Sequence, residues 1–175
     1  MIKRLAIIPA RAGSKRIKNK NLKNFNGKPL IHYSIVAAKK SKIFDKIHVS
    51  SDSNKILNYS EKLKIKLDFK RPKYLANDST VIKDVLKYVV SKYQSLNQNY
   101  DEVWLIFPNN PFIEKKTIID CSKAFKKINY KKNNALMTVT KYNYPVNWAQ
   151  KLSLNNYLLP LDAFNLKTRS QDFNK

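Results

Sequence analysis

Leu5-Ala6-Ile7-Ile8, followed at once by Pro9-Ala10-Arg11-Ala12-Gly13-Ser14-Lys15-Arg16-Ile17-Lys18-Asn19-Lys20-Asn21-Leu22, is the stretch on which the reading of this chain turns. Four consecutive apolar residues cut off by proline and arginine read as a short strand buried on both faces. The polar, basic residues 10–28 after it, punctuated by Gly13 and Gly27, read as a long loop. Pro29 suits the first turn of a helix whose Ile31, Ile35 and Ala38 recur at helical spacing.

Working outward, strands and helices alternate. Lys46 to Ser50 reads as a second strand, with Ile47 and Val49 on one face. Ser51-Asp52-Ser53 offers caps for a helix to about Lys64, and Ile65, Leu67 and Phe69 alternate as a third strand. Beyond the Arg71-Pro72 turn, Val81, Val85, Val89 and Tyr93 form a helical stripe widened by Ile82, Leu86 and Val90. Val103 to Phe107 is the most apolar strand and stops at Pro108-Asn109-Asn110-Pro111. A helix with Ile118, Cys121, Phe125 and Ile128 inward follows, then a strand from Ala135 to Val139. This alternation implies an α/β fold with a mainly parallel sheet covered on both faces. Ligands of such sheets bind beyond the carboxyl ends of the strands. That rule selects the loop after the first strand, the segment from Arg71 to Ser79, and the loop Pro108 to Pro111.

Composition narrows the function. At 175 residues, 43% of them hydrophobic, the chain can bury a core of its own and is no disordered tail. The single cysteine, Cys121, cannot form an internal disulfide, which fits a reducing compartment. With no signal-like or membrane-spanning run, the expectation is a soluble cytoplasmic protein. The formal charge of +23 invites a nucleic-acid reading, but 30 of the 35 basic residues are Lys and only 5 are Arg. Abundant Lys, Asn and Ile together suggest a drift toward AT-rich codons, and the bidentate Arg suited to phosphates and bases is not enriched. Nor do aromatics accompany the basic N-terminal segment, where Phe25 stands alone. Residues 1–28 nevertheless hold nine basic groups and no acidic one, above the background of the rest.

A glycine and a hydroxyl just past a strand let backbone N–H groups approach an oxyanion, and Arg11, Lys15 and Lys20 are spaced to converge on a polyphosphate. The segment is neither a Walker A loop nor a Gly-x-Gly-x-x-Gly turn. On charge alone a solvated basic loop is the favoured reading. His32 and His48 fall in helix and strand patterns as structural residues, and no His/Cys cluster points to a metal.

The full string, Ile8 to Arg16 with Lys20-Asn21 and Asn26-Gly27-Lys28-Pro29-Leu30-Ile31, resembles the cytidylyltransferases that activate nonulosonic acids, the CMP-sialate, CMP-legionaminate and CMP-pseudaminate synthetases. Val49-Ser50-Ser51-Asp52-Ser53, Arg71-Pro72 and Pro108-x-x-Pro111 look like further motifs of that family. Tyr144-Pro145-Val146 and Thr168-Arg169-Ser170-Gln171-Asp172 look most like its pseudaminate branch. The resemblance implies a Rossmann-like three-layer nucleotide-diphospho-sugar transferase fold, with residues 1–175 as one cytidylyltransferase domain whose last elements are missing. It implies transfer of CMP from CTP to the anomeric hydroxyl of a nonulosonic acid, pseudaminic acid first, with release of pyrophosphate for surface glycan synthesis. Arg11, Ser14, Lys15 and Lys20 then match triphosphate positions, with Gly13 giving close backbone approach and Arg11 and Lys20 carrying catalysis. Asn21, Arg71 and Ser79 match the cytosine and ribose surroundings, and Arg169 and Gln171 the sugar acid. Asp52 belongs to a family motif, but a helix N-cap is the reading adopted for it. Mg²⁺ is implied by the family alone, with no metal ligand assignable here, and so is a homodimer if the family's C-terminal tail is present.

Three departures qualify the resemblance. Lys18-Asn19 stand where the family usually carries proline, so the loop is expected to be less preorganised. Asn109-Asn110 replace a usual Thr-Ala/Ser between the two prolines. The sequence stops at Lys175, where family members continue for several dozen residues, so a fragment or a CTP-binding remnant without turnover are alternatives beside CMP-legionaminate or sialate synthesis.

Overall fold

The computed structural model describes residues 2–14, 17–128, 134–140, 149–155 and 157–160. The chain divides into two compact units, Met1–Asn134 and Ala135–Lys175. The first unit holds, in order, β1 (Arg4–Pro9), a short hairpin of β2 (Asn24–Phe25) and β3 (Lys28–Pro29), α1 (Ile31–Ser41), β4 (Lys46–Ser50), α2 (Asn54–Lys62), α3 (Ile82–Ser95), β5 (Glu102–Leu105) and α4 (Lys115–Lys127).

β1 is the centre of a parallel sheet of order β4-β1-β5, pairing Ala6 with Ile47 on one side and with Trp104 on the other. Leu5, Ala6, Ile7 and Ile8 are completely buried, as a strand covered on both faces requires. Alternation sends them to opposite layers. Ala6 and Ile8 join a core with Ile31 and Ile35 of α1, Ile56 of α2 and Ile118 of α4. Leu5 and Ile7 join Val89 and Tyr93 of α3. Each buried aliphatic side chain contributes about 1.5–3 kcal/mol relative to exposure, so β1 nails the two helical layers together. The result is the three-layer α/β arrangement expected.

Several local expectations are corrected. Residues 10–28 are not all loop: Asn26 and Gly27 take positive φ (46° and 80°) and close the β2–β3 hairpin, the Asn-Gly signature of a tight turn. Pro29 therefore lies in β3, and α1 begins at Ile31. The Ile65–Phe69 segment joins no sheet. It is tied at its ends by Ile65 N–H to the Ser60 carbonyl (3.1 Å) and Arg71 N–H to the Ser51 carbonyl (2.9 Å). Ile65 and Leu67 pack into the α1 layer and Phe69 into the α3 layer, so alternation here buries side chains without building a ladder. Val81 is exposed before α3 rather than in its core stripe. The inner face of α4 is Ile118 and Ser122, with Cys121 half-buried and Ile128 exposed beyond the helix end.

In the second unit, β6 (Gln150–Leu152) and β7 (Leu158–Pro160) pair antiparallel, with the turn held by Ser153 N–H to the Tyr157 carbonyl (2.8 Å). The expected strand Ala135–Val139 is exposed and, among the described residues, joins no strand. Among the described residues no helix is long and apolar enough to cross a membrane.

Candidate active site

The chain leaves β1 toward β4 on one side and later returns to β5 on the other, so the loops leaving β1 and β5 part from each other at their carboxyl ends. Such a switch point is where open α/β sheets bind ligands. A cleft of about 720 Å³ lies there. The loop after β1 lines it with Arg11, Gly13, Ser14, Lys20 and Asn21, the segment before α3 with Arg71, Asn77, Asp78 and Thr80, and the loop after β5 with Phe107, Pro108 and Asn109. The three loops singled out from the sequence thus meet at one place.

The first loop is held by its neighbours. Ala10 N–H continues the sheet pattern onto the Ser50 carbonyl (2.8 Å). Ala12 N–H donates to Asp52 Oδ1 (2.8 Å). This corrects the cap reading of Asp52: the N-cap of α2 is Ser53, whose own N–H is held by the Ser51 hydroxyl (3.1 Å). Apart from its chain neighbours, no atom of the described residues lies within 4 Å of where a Gly13 side chain would begin, so any demand for glycine comes from what approaches the loop. Lys20 and Asn21 sit in one turn of 3₁₀ helix (Lys20–Leu22) entered through Asn19 at φ 53°, a left-handed conformation that asparagine tolerates. Asn21 is buried, donating Nδ2 to the Arg11 carbonyl (3.0 Å), while its Oδ1 is buried with no partner among the described residues.

Arg71 is the most enclosed cation of the cleft. Its Nε donates to Ser50 Oγ (3.0 Å) and a terminal nitrogen to the Ser50 carbonyl (2.7 Å), fixing the Arg-Pro turn to the end of β4. Burial lowers its pKa to about 10, with Asp52 opposing and Arg11 adding to the shift, so it stays charged at neutral pH. Arg11 reaches Asp78 Oδ1 at 2.5 Å, and both side chains are about one-third or more exposed (33% and 41%). Asp78 is presented by a turn that Asn77 organises, accepting from Thr80 Oγ1 (2.6 Å) and Ser79 Oγ (3.0 Å) while donating to the Tyr74 carbonyl (3.0 Å). Three cations thus face one carboxylate among the described lining residues, an arrangement suited to a polyanion, beside an apolar wall that includes Ile17, Leu75, Ile82 and Phe107.

Of the site residues expected from sequence, Arg11, Gly13, Ser14, Lys20, Asn21 and Arg71 share this cleft. Ser79 is not among its lining residues, its hydroxyl being turned to Asn77. Lys15, Arg169 and Gln171 lie outside the described residues, as do the Tyr144-Pro145-Val146 and Thr168–Asp172 motifs. Sequence reading missed Asn77, Asp78 and Thr80. An acidic residue inside an Asn-Asp-Ser-Thr turn of so basic a chain was the available signal.

The family model described as cytidylyltransferase matches residues 5–160. The chain belongs to the cytidylyltransferase family. It is 38% identical over 174 residues to the pseudaminic acid cytidylyltransferase of Campylobacter jejuni, covering 99% of this chain and 74% of that protein. It is 30% identical to the CMP-N,N'-diacetyllegionaminic acid synthase of Legionella pneumophila, covering 91% of this chain and 67% of that one. Among solved structures, a CMP:2-keto-3-deoxy-manno-octonic acid synthetase complexed with CTP superposes with a TM-score of 0.59 at 22% identity, over 71% of this chain and 48% of that one. That likeness shows the fold over the matched part of the chain; the chain spans about three-quarters of the Campylobacter relative and about half of the solved chain.

Proposed function

We propose that this chain transfers CMP from CTP to the anomeric hydroxyl of a nonulosonic acid, with pseudaminic acid as the substrate. The observation that carries the reading is the convergence of Arg11, Lys20, Asn21 and Arg71 on one cleft at the switch point of the sheet. The 38% identity to a pseudaminic acid cytidylyltransferase supports the sugar, and the 30% identity to a legionaminic acid enzyme supports the second choice. In the reaction the anomeric oxygen bonds to the α-phosphorus as the bond to the pyrophosphate oxygen breaks. Both reactants are anions, so the chain must offset their repulsion and the charge that builds on the departing oxygens. Arg11 and Lys20 are assigned to the triphosphate, with Gly13 and Ser14 offering backbone N–H groups. Asn21 and Arg71 are assigned to the nucleoside, Asn21 Oδ1 being an acceptor without a donor among the described residues. Lys15, Ser79, Arg169 and Gln171 keep the roles given by the family resemblance.

Mg²⁺ would supply charge neutralisation at the phosphates. The described residues do not fit a cage for it: no group of three His, Cys, Asp or Glu side chains is placed to hold a metal, and Asp78 is engaged by Arg11. The reading also takes residues 1–175 as part of one cytoplasmic cytidylyltransferase domain, homodimeric if the family's C-terminal tail is present. The test is pyrophosphate release with CTP, Mg²⁺ and a panel of nonulosonic acids. Turnover highest with pseudaminic acid is the expected result; CTP-independent behaviour or turnover only with an unrelated acceptor would overturn it.

A further inference from the structure

The peptide group joining Arg11 to Ala12 is gripped at both ends. Its N–H donates to Asp52 Oδ1 (2.8 Å) and its C=O accepts from Asn21 Nδ2 (3.0 Å). The two groups belong to one rigid plane, so fixing either end fixes the other. That plane lies between the side chain of Arg11 and the backbone of Gly13, both lining the cleft. Its carbonyl also decides how the Asn21 amide stands: with Nδ2 donating to Arg11, Oδ1 is the atom left buried and, among the described residues, unpartnered. Asp52 comes from a different strand end, 40 residues away, and its sequence context offered it a cap role that Ser53 fills instead.

The geometry points to Asp52 as a positioning residue of the cytidylyltransferase site, which sets the Arg11–Ala12 peptide plane and through it the orientation of Arg11, Gly13 and the Asn21 amide toward the nucleotide. The inference rests on the CTP reading above for its kinetic consequence, but not for its structural one. A hydrogen bond to a carboxylate holds a backbone N–H more firmly than a neutral acceptor does, and water is the alternative partner for an unheld loop. Asparagine at position 52 can still present an oxygen to Ala12, whereas alanine cannot. The carboxylate's charge serves a second, smaller purpose, since Asp52 favours the charged form of buried Arg71 while Arg11 opposes it.

The experiment compares the full chain with Asp52→Asn and Asp52→Ala by hydrogen exchange at the Ala12 amide and by steady-state kinetics with CTP varied. Loss of a hydrogen bond to a charged group corresponds to about 10- to 100-fold. Asp52→Ala is therefore expected to speed Ala12 exchange and raise the KM for CTP by that factor, with the KM for the sugar acid nearly unchanged. Asp52→Asn is expected to restore slow exchange and most of the CTP KM. Unaltered Ala12 exchange in Asp52→Ala, or an Asn variant as impaired as the Ala one, would overturn the assignment. If Asp52→Ala fails to fold, the Asn variant decides alone: a fast-exchanging Ala12 amide in it contradicts the role. A wild-type chain inert toward CTP would sink the functional reading, while amide exchange would still judge Asp52.

Discussion

Two arginine–carboxylate pairs stand at opposite ends of β1, and they are built differently. Arg4, at the start, meets Glu102 across the β1–β5 register with Nε at 2.8 Å and a terminal nitrogen at 3.3 Å, and Trp104 Nε1 adds a third bond to the same carboxylate (2.9 Å). Their side chains are 12% and 3% exposed. Arg11, just past the end, meets Asp78 in the cleft with both partners open to solvent. The first pair is enclosed by the sheet and belongs to the architecture. The second sits where phosphates are proposed to bind, so an incoming anion can take Arg11 without breaking the core.

The comparison can be broken at either end. Removing one member of a buried, well-bonded pair typically costs roughly 3–5 kcal/mol. Glu102→Ala is expected to lower urea-denaturation stability by about that amount, because it removes the buried carboxylate that accepts from Arg4 and Trp104. A loss under about 1 kcal/mol would put Arg4–Glu102 in the same class as a surface pair. At the other end, Lys20→Ala should leave stability near wild type and lower kcat/KM by a factor corresponding to roughly 2.7–4 kcal/mol of barrier, the usual loss for one charge-stabilising donor. Wild-type kcat/KM would remove Lys20 from the mechanism.

A smaller effect concerns the layer beneath α3. His48 is buried against Phe69, its Nδ1 3.1 Å from the Tyr93 hydroxyl, which donates its one proton to Asp68 (2.7 Å). His48 must therefore donate from Nδ1, leaving Nε2 buried and without a partner among the described residues. Lys46 also pairs with Asp68. Burial holds the His48 pKa down at about 4, with Lys46 and Arg71 adding to the depression and Asp68 opposing it. Between pH 6.5 and 4 the unfolded chain binds a proton at His48 that the folded chain resists. Stability is thus complete above 6.5 and falls as the pH drops toward 4, by up to roughly 3 kcal/mol. Denaturation of His48→Gln across that range should lack this slope; an unchanged slope would assign it to other groups. Smallest of all, Asp78→Asn should cost at most about 1 kcal/mol of stability, as exposed pairs do. A loss as large as that of Glu102→Ala would erase the contrast between the two pairs.

Much of the architecture was legible because β1 is apolar without interruption, which only a strand covered on both faces allows, and because α1 and α3 carry helical stripes. The cleft was legible because strand–loop alternation fixes where ligands sit and the cations cluster there. What escaped depended on contacts between distant segments. Asp52 looks like a cap to its own neighbours, and only the fold brings Ala12 to it. Ile65–Phe69 alternates like a strand, yet hydrogen-bond pairing is a property of a neighbour the sequence does not name. Val81 matched the period of α3 but lies one residue before the helix begins.

The central claim, that the loop after β1 grips the triphosphate of CTP, is tested most directly by calorimetric titration of the full chain with CTP in the presence of Mg²⁺, beside the same titration of Arg11→Ala. Saturable binding to the wild type, weakened by about 10-fold or more in the variant, is the expected result for loss of a charge-assisted contact. Equal affinity in both, or no binding to a folded wild-type chain, would contradict it.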